Sequence, residues 1–160
     1  MHEVIRLNTK NLSLLPKKVV VPVYNRSEIK TGIVHIGIGN FHRAHQAFYT
    51  DQLLQNYDVN DWGICGVALL ETDLKIVEAL RCQDGLYTLM VTEPDGSLTA
   101  MVIGSITEFL FAPENPEAVL EKMANPTIKI ITLTITEGGY NFNTATGEFQ
   151  ITEPAIQWDL

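Results

Sequence analysis

Gly37 and Gly39 close the apolar run Ile33-Val34-His35-Ile36, and Asn40-Phe41-His42-Arg43 follow directly. That order of residue types suits the binding of an anion. A glycine after a strand lets the chain bend sharply, and a second one removes a side chain where a diphosphate must approach. The helix that follows offers unpaired N–H groups and the positive end of its dipole. Gly37, Ile38, Gly39, Asn40 and Phe41 are therefore candidate cofactor-binding residues, the opening of a Rossmann fold on a dinucleotide. His42 stands where a third glycine or alanine normally lets helix and sheet pack closely. Together with Arg43 it reads either as a flank of the pyrophosphate or nicotinamide side of the cleft, or as an internally hydrogen-bonded helix start. His45, one turn further on, reads as a packing or hydrogen-bonding residue.

In such folds an acidic residue just past the second strand accepts hydrogen bonds from a ribose, and Glu71 and Asp73 are the candidates. Their charge repels a 2′-phosphate, which predicts NAD over NADP, with Lys75 softening the preference. Asp73 would serve equally as negative charge in the first turn of a helix. Thr134 and Thr136 stand at the carboxyl end of a later strand, in reach of a nicotinamide ribose or carboxamide, although threonines are also plain strand formers. No metal centre is expected, because His42 and His45 have no Cys, Asp or Glu at helical spacing beside them.

These residues need an α/β, doubly wound and mostly parallel sheet to bring them together. Residues 1–31, interrupted by Pro16 and Pro22, read as an extended arm, and residues 32–160 as the dinucleotide-binding domain. Ile33, Val34, Ile36 and Ile38 suit a strand buried on both faces. Ala44, Ala47, Phe48, Gln52 and Leu54 line one side of a helix that ends near Asn56. Residues 62–70 sit where the second parallel strand belongs, and Thr72 is the expected cap of a helix buried through Leu74, Val77, Ala79 and Leu80. From Leu86 to Phe111 the pattern changes. Residues 87–92 and 98–103 flank a turn at Asp95-Gly96, which predicts an antiparallel hairpin inserted in or beside the parallel sheet. Asn115 and Pro116 open a further helix that Asn125-Pro126 stops. Residues 128–136 form the next strand, followed by a loop from Glu137 to Tyr140 and a turn around residues 143–147, with no evident terminal element.

Composition narrows the classes. The 160 residues suffice for one domain with a continuous core. A formal net charge of -8 leaves no basic face for nucleic acid or an anionic membrane. Cys65 and Cys82 have neither metal-ligand spacing nor a disulfide framework and read as reduced. Lys10, Asn11, Lys17 and Lys18 break up any leader-like apolar stretch, so a cytoplasmic protein is expected.

Three stretches go further. Gly37-Ile38-Gly39-Asn40-Phe41-His42-Arg43-Ala44-His45-Gln46 resembles the amino-terminal signature of the mannitol 2-dehydrogenase and fructuronate reductase family, the polyol-specific long-chain dehydrogenases. Thr132-Leu133-Thr134-Ile135-Thr136-Glu137-Gly138-Gly139-Tyr140 is similar to that family's Thr-x-Thr-x-Thr-Glu-x-Gly-Tyr segment, and Asp61-Trp62-Gly63-Ile64-Cys65-Gly66-Val67 to its second strand. The resemblance covers essentially the whole chain and includes histidine at the third glycine position.

It implies an NAD-dependent oxidoreductase that moves a hydride reversibly between a polyol such as mannitol and a ketose such as fructose, without zinc. A lysine would act as general acid/base, within a Lys-x-x-x-x-Asn-x-x-His segment of a mostly helical substrate domain. None of this chain's lysines, at 10, 17, 18, 30, 75, 122 and 129, has that context. The chain thus resembles the cofactor half of a longer enzyme and is expected to be inactive alone. By the resemblance, Glu137 borders the cleft near the reaction centre as an accessory carboxylate. A hexuronate reductase acting on fructuronate is the rival within the class, and a non-catalytic dinucleotide-binding module the rival outside it.

Overall fold

A computed structural model describes residues 4–135 and 137–160. The chain runs β1 (Thr31–Ile36), α1 (Asn40–Ala44), α2 (Gln46–Asn56), β2 (Gly63–Ala68), α3 (Leu74–Cys82), β3 (Tyr87–Thr92), β4 (Leu98–Ile103), β5 (Ile106–Phe111), α4 (Pro116–Met123), β6 (Ile130–Leu133) and α5 (Pro154–Asp159). Successive side chains of a strand point to opposite faces, and in β1 both neighbours Ile33 and Val34 are buried. Layers must therefore cover both sides.

Ile33, Ile64 and Ile106 pack on one face against Ala47 of α2 and Ile103 of β4. Val77 and Leu80 of α3 extend that face over Ala68 and Phe111. Val34, Cys65 and Val67 point the other way, onto Val119 of α4. The four strands pair in the order β5-β2-β1-β6, and every pair is parallel. This is the doubly wound, Rossmann-like arrangement. The hairpin β3-β4 forms its own two-stranded antiparallel sheet between α3 and β5. Cys65 is free and buried, its thiol pushed up to about 12 by desolvation, and Cys82 is free and exposed.

Several elements differ from the pattern read in the sequence. The helix expected to run unbroken to Asn56 is interrupted at His45, whose φ and ψ of -121° and -87° are not helical. Its ring Nδ1 lies 2.8 Å from the carbonyl of Phe41, which also accepts the His45 backbone N–H and so ends the first helix. Thr72 caps nothing; it lies inside a 3-10 turn, Glu71–Asp73, where the Asp73 carboxylate accepts from the N–H of Leu70 at 3.1 Å. β5 is a third parallel strand rather than a continuation of the hairpin region, although only Gly104 and Ser105 separate it from β4. That sharp corner is held by a buried carboxylate: Gly104 N–H donates to Asp51 Oδ1 at 2.8 Å, and Ser105 Oγ donates to Ala47 O at 2.6 Å.

β6 is shorter than residues 128–136 and pairs with no further strand among the described residues, so Ile130, Ile131 and Leu133 are exposed instead of buried. The arm is not extended throughout, since 3-10 turns occupy Thr9–Leu14 and Arg26–Glu28. It is fastened to the domain through Arg26, which donates to the carbonyls of Asp84, Gly104 and Ile106, and through Tyr24, which donates to Asp51. At the other end Phe142 and Phe149 bridge and α5 follows, where no terminal element was legible. No helix among the described residues is long and apolar enough to cross a membrane.

Candidate functional site

The turn after β1 is built by three glycines with different duties. Gly37 has a φ of +102°, a left-handed conformation that side chains resist, and its N–H is tied to Val67 O of β2 at 2.8 Å. Gly66 in β2 makes room for the turn, because a Cβ there would stand 2.5 Å from Ile38 Cγ2. A Cβ on Gly39 would meet nothing within 4 Å, so its missing side chain leaves open space above the backbone. Gly39 is the N-cap of α1 and provides no capping side chain. The N–H groups of Gly39, Asn40, Phe41 and His42 find no acceptor among the described residues. At five residues α1 has a smaller dipole than the long helix expected, so direct N–H donation is the larger attraction for an anion.

A cavity of about 340 Å³ opens over this turn. Gly37, Ile38, Gly39, Phe41 and His42 line its middle, Leu69, Leu70 and Asp73 one end and Thr134 the other. These residues follow the carboxyl ends of β1, β2 and β6, which is where open α/β sheets take ligands.

His42 is 1% exposed, and neither of its ring nitrogens has a hydrogen-bond partner among the described residues. Burial, with the neighbouring His35 and Arg43 adding to it, pushes its pKa down to about 3, so it brings no positive charge to a diphosphate. Its ring stacks on His35 of β1, with centroids 3.6 Å apart and an interplanar angle of 8°. His35 is in turn held by Thr132 and Thr134. Nothing in the sequence singled out His35 except its polarity inside an aliphatic strand, and its partners are visible only after β1 and β6 pair.

The remaining expected residues divide. Arg43 does not line the cavity; its guanidinium donates to Ile38 O and to the side chain of Asn40, and lies 5.8 Å from the centre of the Tyr87 ring. It braces the turn, and Asn40 is occupied with it. Glu71 is exposed and outside the cavity, whereas Asp73 lines it. His45 is exposed and stacks on Phe41. Thr136 lies outside the described residues, and of Glu137 only the backbone is described, in a 3-10 turn running to Tyr140. Leu69 and Leu70 also line the cavity, where their sequence pattern predicts only the end of a strand.

Residues 31–156 match the family profile described as "Mannitol dehydrogenase Rossmann domain". The chain belongs to the mannitol dehydrogenase family. Within this family it is 51% identical to a mannitol 2-dehydrogenase of Aspergillus terreus, over 98% of this chain and 32% of that protein. A mannitol 2-dehydrogenase of Pyrenophora tritici-repentis is 50% identical over 98% of this chain and 27% of its own length. Among solved structures, Pseudomonas fluorescens mannitol 2-dehydrogenase in a ternary complex with NAD and D-mannitol superposes with a TM-score of 0.86 at 44% identity. That match covers 97% of this chain and 32% of the other. A D-sorbitol dehydrogenase in substrate-free form gives a TM-score of 0.81 at 43% identity, covering 96% and 32% of the two chains. The chain thus spans a third or less of the length of these relatives and solved structures.

Proposed function

We propose that this chain is the NAD-binding part of an NAD-dependent polyol oxidoreductase of mannitol 2-dehydrogenase type, acting in the cytoplasm on the mannitol/fructose pair. The observation that carries the reading is one cavity running from Asp73 across the glycine turn to Thr134, along the carboxyl ends of three parallel strands. The N–H groups of Gly39, Asn40 and Phe41 would hold the pyrophosphate, and the open space over Gly39 leaves room for it. Asp73 would accept from the adenosine ribose hydroxyls, with Glu71 as a second carboxylate nearby and Leu69 and Leu70 as apolar walls. Thr134, and by its place in the motif Thr136, would meet the nicotinamide half. NAD, when bound, supplies the carbon that takes the hydride.

Residues 1–31 serve in this reading as an arm that braces the domain formed by residues 32–160. Glu137 is assigned an accessory part in proton movement, and the lysine base and the polyol site belong to a substrate domain beyond this chain. The similarity to mannitol 2-dehydrogenases, one of them solved in a complex with NAD and D-mannitol, supports the choice of substrate. The full-length protein is expected to turn over mannitol with NAD and fructose with NADH, followed by absorbance of the reduced cofactor. Turnover of fructuronate without mannitol or fructose would reassign it to hexuronate reduction. The 160-residue chain itself is expected to bind NADH in calorimetry and to show no turnover.

A further inference from the structure

Thr132 Oγ1 lies 3.1 Å from Gln46 Oε1, an atom that can only accept, so the hydroxyl donates its one proton there. His35 Nδ1, 2.8 Å from the same Thr132 oxygen, is then the donor in their bond. Burial lowers the pKa of His35 and keeps the ring neutral at pH 7, and a neutral imidazole carries a single N–H. Its Nε2 is therefore bare. Thr134 Oγ1 stands 3.0 Å from that nitrogen and donates to it. The stacked ring of His42 fixes the plane in which both bonds are made. The proton of Thr134 is thus committed inward, and the oxygen offers only lone pairs to the cavity it lines.

We propose that this relay, Thr134 to His35 to Thr132 to Gln46, makes the β6 end of the cavity an obligate hydrogen-bond acceptor, with His35 as positioning residue. Its ligand is a hydrogen-bond donor on the nicotinamide half of the dinucleotide, a ribose hydroxyl or the carboxamide N–H2. A phosphate, which brings acceptors only, is rejected there. The proposal rests on the dinucleotide reading above, and its two halves are tested apart.

Nitrogen-15 NMR of the ligand-free chain at pH 7 reads the relay without any cofactor. His35 protonated on Nδ1 alone is expected; protonation on Nε2, or on both nitrogens, overturns it. Calorimetric titration with NADH, ADP-ribose and ADP reads the ligand half. Thr134→Val should weaken NADH by about tenfold, the size of one hydrogen bond, and leave ADP unchanged. Loss on NADH alone assigns the donor to the carboxamide, and loss on NADH and ADP-ribose together assigns it to the ribose; either supports the proposal. Thr134→Ser should restore wild-type binding, and His35→Phe combined with Thr134→Val should lose no more than Thr134→Val alone. Equal loss on ADP, or no loss on NADH, overturns the acceptor role. Wild-type chain that binds none of the three overturns the dinucleotide reading and the ligand half with it, while the tautomer still decides the relay.

Discussion

Asp73 uses one carboxylate twice, accepting the Leu70 N–H and facing the cavity. The backbone bond needs an acceptor oxygen, and discrimination against a 2′-phosphate needs the negative charge. Asp73→Asn separates these, since the amide oxygen keeps the bond while the charge goes. The expected outcome is a preference for NADH over NADPH narrowed by about tenfold in fluorescence titration, the scale of one charged contact, whereas Glu71→Gln, outside the cavity, changes it less. His42 makes a prediction about pH. Its pKa of about 3 in the folded chain lies below the ordinary 6.5, so the unfolded chain binds the proton more readily. Stability is then full above pH 6.5 and drains as pH falls toward 3, and the lowered pKa of His35 acts in the same direction. In urea titrations His42→Phe, which keeps a flat ring on His35, should flatten this dependence by about 2 kcal/mol between pH 7 and 5. Parallel curves for the two proteins would remove the histidine from the account.

At the scale of elements, the glycine turn is held from three sides. Gly37 is bonded to β2, Arg43 grips the carbonyl of Ile38, and the Ile38 side chain packs where Gly66 leaves space. Gly66→Ala puts a methyl group 2.5 Å from Ile38 Cγ2, in a core with Ala68, Val77 and Leu80 close by. Overpacking of this kind costs about 1–3 kcal/mol. Because the atom displaced belongs to the turn, NADH affinity should fall along with the midpoint of thermal unfolding. Wild-type affinity in a destabilised variant would show that the turn moves independently of β2. The buried Asp51 plays the matching part at the β4-β5 corner, where desolvation raises its pKa and the bonds from Tyr24 and Gly104 oppose that rise.

For the whole molecule, the open side is the β6 edge. Ile131 and Leu133 are 48% and 56% exposed, although parallel strands of this composition are normally covered on both faces. An unpaired apolar edge also offers free backbone groups to other chains. The 160-residue chain is therefore expected to self-associate with rising concentration in analytical ultracentrifugation. Ile131→Lys should shift it toward monomer without altering NADH binding, and a wild-type chain that stays monomeric at high concentration would count against an adhesive edge.

What the sequence determined by itself was local. The glycine bend, the hairpin at Asp95-Gly96, the helix opened by Asn115-Pro116 and the acidic pair after β2 each depend on a few adjacent residues, whose backbone preferences act before any packing does. What only the tertiary structure decided was the partner of each polar group. His35 meets Thr132 and Thr134 across 97 and 99 residues, Arg43 turns into the protein, and Asp51 finds Gly104 across 53 residues. Hydrogen-bond partners follow from strand register and burial, and these are properties of the assembled sheet rather than of any stretch of chain.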